Sequence, residues 1–343
     1  MKLIVKPLIF CWLLLSLFTQ SLNAQTNYPE RPIRMVVAWP AGGGTDSVAR
    51  IVARYLGERL GQSVVVENRS GASGIIGTEF VARAEPDGYT IQYTVADSHS
   101  INPHVFPNIR FDALADFTPV AMVGSMPNAL IVNPKVSSQT LNEFIQIARE
   151  KPNQLTYGSW GVGSGGHIRM ESFNIFANIK TLHVPYQGSA QALQAVISGQ
   201  VDAMMAPYGL AEANWKAGKV KMLAVDTNNR MDNAPNLPTF AEQGIPLSFS
   251  FWQGILVPAR TPAHVINRLN QEMNVILANP QARAELAKVG VTVGTMGVTA
   301  IRETRAYFES EYTRWGKVIK DAKIRSEEHT SELQSHVRIS YAV

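Results

Sequence analysis

The chain alternates short apolar runs with longer amphipathic segments over most of its length. Apolar runs at residues 33–39, 63–67 and 90–95 have the length and the β-branched content of buried strands. The intervening residues 47–60 and 75–84 repeat apolar positions at helical spacing. Strands that alternate with helices are typical of a parallel sheet covered by helices. The pattern therefore predicts an α/β unit at this end of the chain.

A loop-rich passage containing Pro103, Pro107 and Pro119 interrupts this pattern. Strands are predicted after it at residues 120–124 and 129–132, and we interpret the passage as the approach to a crossing between domains. A second α/β unit follows. Its predicted helices are residues 141–150, 167–176 and 190–198, and its predicted strands are residues 155–157, 183–185, 201–206 and 222–225.

A second proline-rich passage marks the return of the chain to the first unit. It contains Pro235, Pro238 and Pro246. A strand is predicted after it, and then terminal helices, at residues 251–257, 262–277, 280–289 and 299–322. Two crossings between the units predict a hinge.

Both ends of the chain fall outside this pattern. Lys2 and Lys6 precede an apolar run at residues 8–18, which is shorter than the ~20 residues that a membrane-spanning helix needs. We therefore predict a secretory signal at residues 1–24, cleaved near Ala24, and a periplasmic location. Residues 326–343 lose the apolar periodicity of the preceding helix, and we predict a non-native or disordered tail there.

Composition excludes several classes of function. Cys11, the single cysteine, lies in the predicted signal, so the exported chain has no disulfide and no thiolate chemistry. The net charge is +4 from 31 basic and 27 acidic residues without a basic block, which argues against a nucleic-acid partner. His99 and His104 are five residues apart, with Pro103 between them, so they are not expected to bind a metal.

Glycine-rich turns join a predicted strand to a predicted helix at three places. They read PAGGGTD at residues 40–46, SGASGIIG at residues 70–77 and GSWGVGSGGH at residues 158–167. Glycine lets backbone N–H groups approach a ligand, and a helix N-terminus attracts anions. Two turns in one unit and one in the other suggest a clamp for a carboxylate. The alternative for each turn is a capped turn that binds nothing.

The third turn also resembles two enzyme motifs without completing either. Residues 161–166 match G-x-G-x-x-G, but no acidic residue ends the next strand at residues 183–186. Ser164 lacks the first glycine of G-x-S-x-G, and its pair with His167 lacks a third, orienting acid. His167 either donates to a ligand or caps and packs. We therefore predict no catalytic residue, metal or cofactor.

Five motifs resemble those of one protein family. They are VAWPAGGGTD from residue 37, VENRSGASG from residue 66, PDGYT from residue 86, VPYQG from residue 184 and VPARTP from residue 257. In this order they are similar to the Bug family, the periplasmic receptors of tripartite tricarboxylate transporters. The similarity covers essentially the whole mature chain.

This resemblance implies an α/β, two-lobed periplasmic-binding-protein (Venus flytrap) fold, each lobe a mostly parallel sheet flanked by helices. Lobe 1 is expected at residues 25–124 and 248–325, and lobe 2 at residues 125–247. A ligand carboxylate is expected between residues 40–46 and 158–167, often through ordered waters. The predicted ligand-binding residues are Trp39, Pro40, Ala41, Gly42, Gly43, Gly44, Thr45, Asp46, Ser73, Gly74, Ser98, Ser159, Gly163, Ser164, His167, Tyr186, Gly188, Asp202 and Tyr208.

Two positions depart from the family pattern. Trp39 stands where a smaller aromatic residue is usual, and Asp97 lies in a stretch that is usually neutral. A bulky wall and an acid favour a compact or amine-bearing ligand. Alternatively, Trp39 packs within lobe 1 and Asp97 faces solvent.

The predicted function is reversible capture of a small carboxylate by a monomeric receptor, which then docks on the membrane permease subunits of the transporter. A ligand-sensing subunit for a signalling partner is the alternative. A hydrolase that uses Ser164 and His167 is the third and weakest interpretation.

Overall fold

The computed structural model describes residues 27–247, 251–294 and 300–321 of the chain. The predicted signal at residues 1–24 and the predicted tail at residues 326–343 lie outside the described residues. Within the described ranges, no helix combines the length and apolar content needed to cross a membrane.

Two five-stranded sheets organise the described residues. The strands of the first sheet are β1 (Ile33–Val37), β2 (Val64–Asn68), β3 (Thr90–Val95), β4 (Phe117–Ser125) and β10 (Trp252–Pro258), in the order β2-β1-β3-β10-β4. Those of the second sheet are β5 (Asn128–Val132), β6 (Thr156–Ser159), β7 (Leu182–Pro185), β8 (Ala203–Pro207) and β9 (Lys221–Val225), in the order β7-β6-β8-β5-β9.

One strand in each sheet runs against the others. In the first sheet β1 is parallel to β2 and β3, whereas β10 is antiparallel to β3 and β4. In the second sheet β6 is parallel to β7 and β8, whereas β5 is antiparallel to β8 and β9. Strands β5 and β10 are the first strands after each passage between the sheets. The predicted α/β class with mostly parallel sheets is confirmed.

Helices connect the strands within each sheet, and the last three helices follow the final strand, β10. They are α1 (Gly44–Leu60), α2 (Ile75–Ala82), α3 (Asn102–Val105), α4 (Leu141–Glu150), α5 (Gly165–Ala177), α6 (Ser189–Ser198), α7 (Tyr208–Lys216), α8 (Ala263–Ala278), α9 (Pro280–Lys288) and α10 (Ile301–Asp321). Because parallel strands place their carboxyl ends at one edge of a sheet, the turns that enter α1 and α2 lie together, as do those that enter α5 and α6.

Two helical segments were missed by the sequence pattern. A π-helical turn at Asp97–Ile101 leads into α3, within a passage predicted to be loop. Helix α7 was also missed, because Tyr208 and Ala211 are its only buried residues and give no clear helical repeat.

The second sheet buries both of its faces. Leu130 and Met205 belong to one apolar cluster, whereas their neighbours Ile131 and Met204 belong to the other, as alternation along a strand requires. Helix α10 contributes Phe308 to the cluster that contains the first sheet's core and Trp315 to the other cluster. It therefore packs on both cores.

Candidate ligand-binding site

The N-terminus of α1 follows the first glycine-rich turn and has no side-chain cap. Gly43 is its N-cap residue, with extended backbone angles, and the first intrahelical bond runs from Ser47 N to Gly43 O at 3.0 Å. The N–H groups of the first turn before Ser47 have no intrahelical acceptor. This helix end therefore presents free donors and a partial positive charge.

The side chain of Asp46 holds the first glycine-rich turn in place through hydrogen bonds. Its Oδ2 accepts hydrogen bonds from Gly42 N and from Arg50 Nε, both at 2.9 Å, and its Oδ1 accepts from Asn68 Nδ2 at 2.9 Å. Burial raises the pKa of Asp46, but the hydrogen bonds from Arg50, Gly42 and Asn68 outweigh burial and hold the pKa below its usual value. Both carboxylate oxygens of Asp46 are thus engaged within the protein.

The N-terminus of α6 has the same uncapped form. Gly188 is its extended N-cap residue, it makes no side-chain cap, and the first intrahelical bond runs from Ala192 N to Gly188 O at 3.1 Å. Sequence analysis named Gly188 but not Ser189, Ala190 or Gln191. The sequence does contain a signal for them. Gly188 and Ser189 follow β7 after two intervening residues and stand immediately before a helical repeat, as at the start of a helix.

These two helix ends line one cavity, called here the central cavity, with a volume of about 90 Å³. A Cβ atom built on Gly43 would lie 3.6 Å from Ser189 Oγ, and one built on Gly188 would lie 3.1 Å from Pro40 Cγ. The lining residues are Trp39, Pro40, Ala41, Gly43, Gly44, Thr45, Val95, Asp97, Met126, Trp160, Gly188, Ser189, Ala190, Gln191, Pro207 and Phe251.

Asp97 lies in the wall of the central cavity and is fully buried. Its Oδ2 accepts a hydrogen bond from Trp160 Nε1 at 2.7 Å, which joins the end of β3 to the end of β6. Burial raises the pKa of Asp97, while the Gly165 amide, Trp160 and Arg169 act in the opposite direction. The alternative that Asp97 faces solvent is therefore wrong.

Trp39 is also buried, at 7% exposure, and lines the central cavity. Its Nε1 atom has no hydrogen-bond partner within the described residues. The bulky wall expected from Trp39 is thus present, and Trp39 also packs in the apolar cluster that contains the first sheet's core, as the alternative held.

A second cavity, of about 440 Å³, lies beside the first and shares Trp39 and Trp160 with it. Its lining includes residues 70–74 of the second glycine-rich turn and residues 160–162 of the third. These two turns are in contact, because Ser73 Oγ donates a hydrogen bond to the Val162 carbonyl. Ser73 adopts a left-handed backbone (φ 52°), which is uncommon for a non-glycine residue and often accompanies function.

The third glycine-rich turn, at the start of α5, is capped and covered. Ser164 Oγ accepts from His167 N at 3.4 Å, and Gly163 N donates to His167 Nδ1 at 3.0 Å. A Cβ atom on Gly165 would lie 2.5 Å from Asp97 Oδ1, and one on Gly166 would lie 2.6 Å from the Trp160 ring. This helix end therefore does not line the central cavity. The His167 Nδ1 atom faces Gly163 rather than Ser164 Oγ.

A buried ion pair stands behind this turn. Arg169 Nε donates to Asp226 Oδ2 at 2.8 Å, Arg169 Nη1 donates to Gly165 O at 3.0 Å, and both side chains of the pair are fully buried. Burial raises the pKa of Asp226, and the Arg169 charge opposes that shift.

The structure distributes the predicted ligand-binding residues over three places. The central cavity collects Trp39, Pro40, Ala41, Gly43, Gly44, Thr45 and Gly188. The second cavity collects Ser73, Gly74 and Tyr186. Those that line neither cavity are Gly42, Asp46, Ser98, Ser159, Gly163, Ser164, His167, Asp202 and Tyr208.

Several of these outlying residues have partners in the protein. Ser159 Oγ lies 2.6 Å from His183 Nε2. Asp202 accepts a hydrogen bond from Thr156 N, and the Tyr208 hydroxyl donates one to Glu212. In the described parts of the chain, no three His, Cys, Asp or Glu side chains come together as metal ligands.

Comparison with known proteins gives a consistent result. The family model for the tripartite tricarboxylate transporter family receptor matches residues 48–324. BugT of Bordetella pertussis is 32% identical over 296 residues, covering 86% of this chain and 90% of BugT.

Two solved structures are similar over their whole length. R. palustris Rpa4515 with adipate has a TM-score of 0.83 at 33% identity, covering 87% of this chain and 99% of that one. MatC (Rpa3494) from Rhodopseudomonas palustris with bound malate has a TM-score of 0.81 at 30% identity, covering 85% of this chain and 100% of that one. This similarity confirms the predicted two-lobed α/β fold.

Proposed function

This chain belongs to the tripartite tricarboxylate transporter receptor family, and we propose that it captures a small carboxylate in the central cavity and delivers it to a membrane permease. In this proposal it acts in the periplasm, as the receptor family does. No bond is made or broken during capture.

The observation that carries the proposal is the pair of uncapped helix N-termini. Helix α1 follows β1 of the first sheet, helix α6 follows β7 of the second, and both ends line the central cavity. Free N–H groups and the positive ends of two helix dipoles suit an anion. A ligand carboxylate held by both ends would link the two sheets.

A carboxylate held by both helix ends would stabilise the closed arrangement of two lobes. We propose lobe 1 at residues 25–124 and 248–325 and lobe 2 at residues 125–247, because the chain passes between the sheets after Ser125 and again before Trp252. The hydrogen bonds from Ser73 to Val162 and from Trp160 to Asp97 join residues of different lobes. These bonds belong to the closed form, which a ligand favours by binding that form more tightly.

A thermal-shift screen tests capture. Adipate and malate are the first probes, since they are the molecules in the two similar structures. A carboxylate at one hundred times its dissociation constant should stabilise the protein by about 2.7 kcal/mol. The dimethyl esters of the same acids are the matched controls and should produce no shift, because they lack the negative charge. Equal shifts from esters and acids would contradict recognition by helix N-termini.

Two further measurements separate closure from delivery. Small-angle scattering should show a smaller radius of gyration with ligand and an unchanged far-UV circular dichroism spectrum, because rigid lobes move without new helix or strand. Uptake of labelled ligand into vesicles that contain the tripartite permease should require the receptor. Uptake at the same rate without the receptor would refute the delivery step.

A further inference from the structure

The side chains that line the second cavity are uncharged, and four of them are aromatic. Of the described residues in this lining, none is Asp, Glu, Lys, Arg or His. The aromatic ones are Trp39, Phe106, Trp160 and Tyr186. The cavity has a volume of about 440 Å³, whereas a cavity of about 150 Å³ already binds benzene. The second cavity therefore has the room and the lining for an aromatic ring.

Glycines of the third glycine-rich turn make room for two of these rings. A Cβ atom on Gly163 would lie 2.5 Å from Phe106 Cε2, and one on Gly166 would lie 2.6 Å from Trp160 Cζ3. A larger residue at either position would push the ring away. These glycines thus help to form the second cavity, although the helix end that they belong to does not line the central one.

The other two rings also lie against glycines. A Cβ atom on Gly74 would lie 3.1 Å from Trp39 Cζ2, and one on Gly158 would lie 3.4 Å from Tyr186 Cε2. Trp39 follows β1 of the first sheet, and Tyr186 follows β7 of the second. A flat ligand between these rings would contact aromatic surface from both sheets, and aromatic rings attract one another beyond the effect of burial alone.

The two cavities share a pair of tryptophan side chains, Trp39 and Trp160. The central cavity, at about 90 Å³, is smaller than the about 150 Å³ of a cavity that binds benzene, so it suits a carboxylate group better than a ring. A ligand whose carboxylate lies at the start of α1 and α6 would extend past the two indoles into the second cavity. A second carboxylate there would lose water without a cationic side chain in the described lining.

We propose that the ligand is an aromatic monocarboxylate, whose carboxylate binds the N-termini of α1 and α6 and whose ring packs between the aromatic side chains of the second cavity. This inference rests on the proposed capture of a carboxylate and names the class of carboxylate. Phe106 and Tyr186 are then residues that determine specificity, because they line the second cavity and not the central one.

The test compares acids of nearly the same size that differ in the aromatic character of the ring. Benzoate is paired with cyclohexanecarboxylate, and phenylacetate with cyclohexylacetate. Calorimetry on the full receptor should show that, in at least one pair, the aromatic acid binds at least about threefold more tightly than its saturated counterpart. The same aromatic acid should bind at least about tenfold more tightly than adipate, whose second carboxylate finds no cationic partner in the described lining of the second cavity.

Matched variants locate the source of this preference. Phe106→Leu and Tyr186→Leu each replace an aromatic ring of the second cavity by an apolar side chain, and each should reduce the preference for the aromatic acid over its saturated counterpart. Phe176→Leu removes a ring at an exposed position that lines neither cavity, and it should leave the preference intact. Circular dichroism and melting curves establish that the variants are folded. The ligand pairs in the unmodified protein give a result even when a variant fails to fold.

The possible outcomes separate this inference from the proposed function. If the saturated acids, adipate or malate bind as tightly as the aromatic acids or more tightly, the aromatic assignment is wrong and carboxylate capture stands. A preference that is unchanged in both Phe106→Leu and Tyr186→Leu would show that the ring does not lie in the second cavity. If no carboxylate binds, with or without an aromatic ring, both proposals fail.

Discussion

Two glycine-rich helix ends that look alike in sequence differ in the structure. The turn before α1 ends at Gly43, has no side-chain cap and faces the central cavity. The turn before α5 ends at Ser164, whose hydroxyl caps the helix, while Asp97 and Trp160 cover its first residues. The N–H groups at the start of α1 face the cavity, whereas the start of α5 is capped and covered by other parts of the protein.

This comparison shows what a glycine-rich turn does and does not predict. Glycine allows the chain to approach a partner closely, but the partner is either a ligand or another part of the fold. The two residues that cover the start of α5 lie far apart in the sequence: Asp97 follows β3 of the first sheet, and Trp160 follows β6 of the second. The partner of the α1 end is the start of α6, which carries a single glycine before it.

Removing the buried arginine behind α5 should have the largest effect. Arg169→Ala leaves Asp226 buried without its charged partner and frees the Gly165 carbonyl, so the free energy of unfolding should fall by about 3–5 kcal/mol. Arg69→Ala, which removes a partly exposed ion pair with Glu67 and the stacking of Arg69 on the Phe80 ring, is the control and should cost about 1–2 kcal/mol. Denaturant unfolding measures both. Equal losses of unfolding free energy would show that the buried contacts at the start of α5 contribute no more to stability than a surface ion pair.

The acid beside the α1 turn should give a smaller, pH-dependent effect. Asp46→Asn removes the charge and replaces one of the two acceptor oxygens by an NH2 donor. Either the bonds from Gly42 and Arg50 or the bond from Asn68 are lost, so it should destabilise the protein by about 1–3 kcal/mol at pH 7. The pKa of Asp46 lies below its usual value, so its stabilising effect is present above about pH 4 and is lost as the pH falls through the lower folded pKa.

The gap in unfolding free energy between the native protein and Asp46→Asn should therefore narrow as the pH falls below 4. Asp232→Asn, at an exposed position, should show little gap at either pH. A gap for Asp46→Asn that stays constant down to pH 3 would contradict the role given to the ionised carboxylate.

The cap of α5 should give the smallest effect and should leave binding unchanged. Ser164→Ala removes the acceptor for His167 N and should lower stability by about 1 kcal/mol. Ligand affinity should match that of the native protein, because Ser164 does not line the central cavity. Calorimetry alongside thermal unfolding checks both parts. A loss of affinity without loss of stability would place the α5 end in the site.

The sequence predicted the order of strands and helices well because apolar periodicity is a local property. Helix α4 and strand β3 were predicted with the bounds that the structure has. The π-helical turn that carries Asp97 was read as loop, since Pro103 and polar residues conceal its burial. Its burial depends on packing between distant segments, which local pattern does not reveal.

The site was predicted in part for the same reason. Of the central cavity's lining, Pro40, Ala41, Gly43, Gly44 and Thr45 were identified because their turn follows a strand and precedes a helix. Ser189, Ala190 and Gln191 were missed because a single glycine is a weaker local signal than three. The contact of Asp97 with Trp160 joins residues 63 positions apart, and no spacing in the sequence indicates it.

The most direct test of the account deletes one backbone donor at the start of α6. Ser189→Pro removes the Ser189 N–H, and proline is tolerated at the first helical position after an extended residue such as Gly188. Ser189→Ala keeps the N–H and is the matched control. Calorimetry with the tightest carboxylate should show affinity lowered by at least about tenfold in Ser189→Pro and nearly unchanged in Ser189→Ala, as expected for losing a hydrogen bond to a charged group. Native affinity in a folded Ser189→Pro protein would contradict the claim that uncapped helix ends hold the ligand.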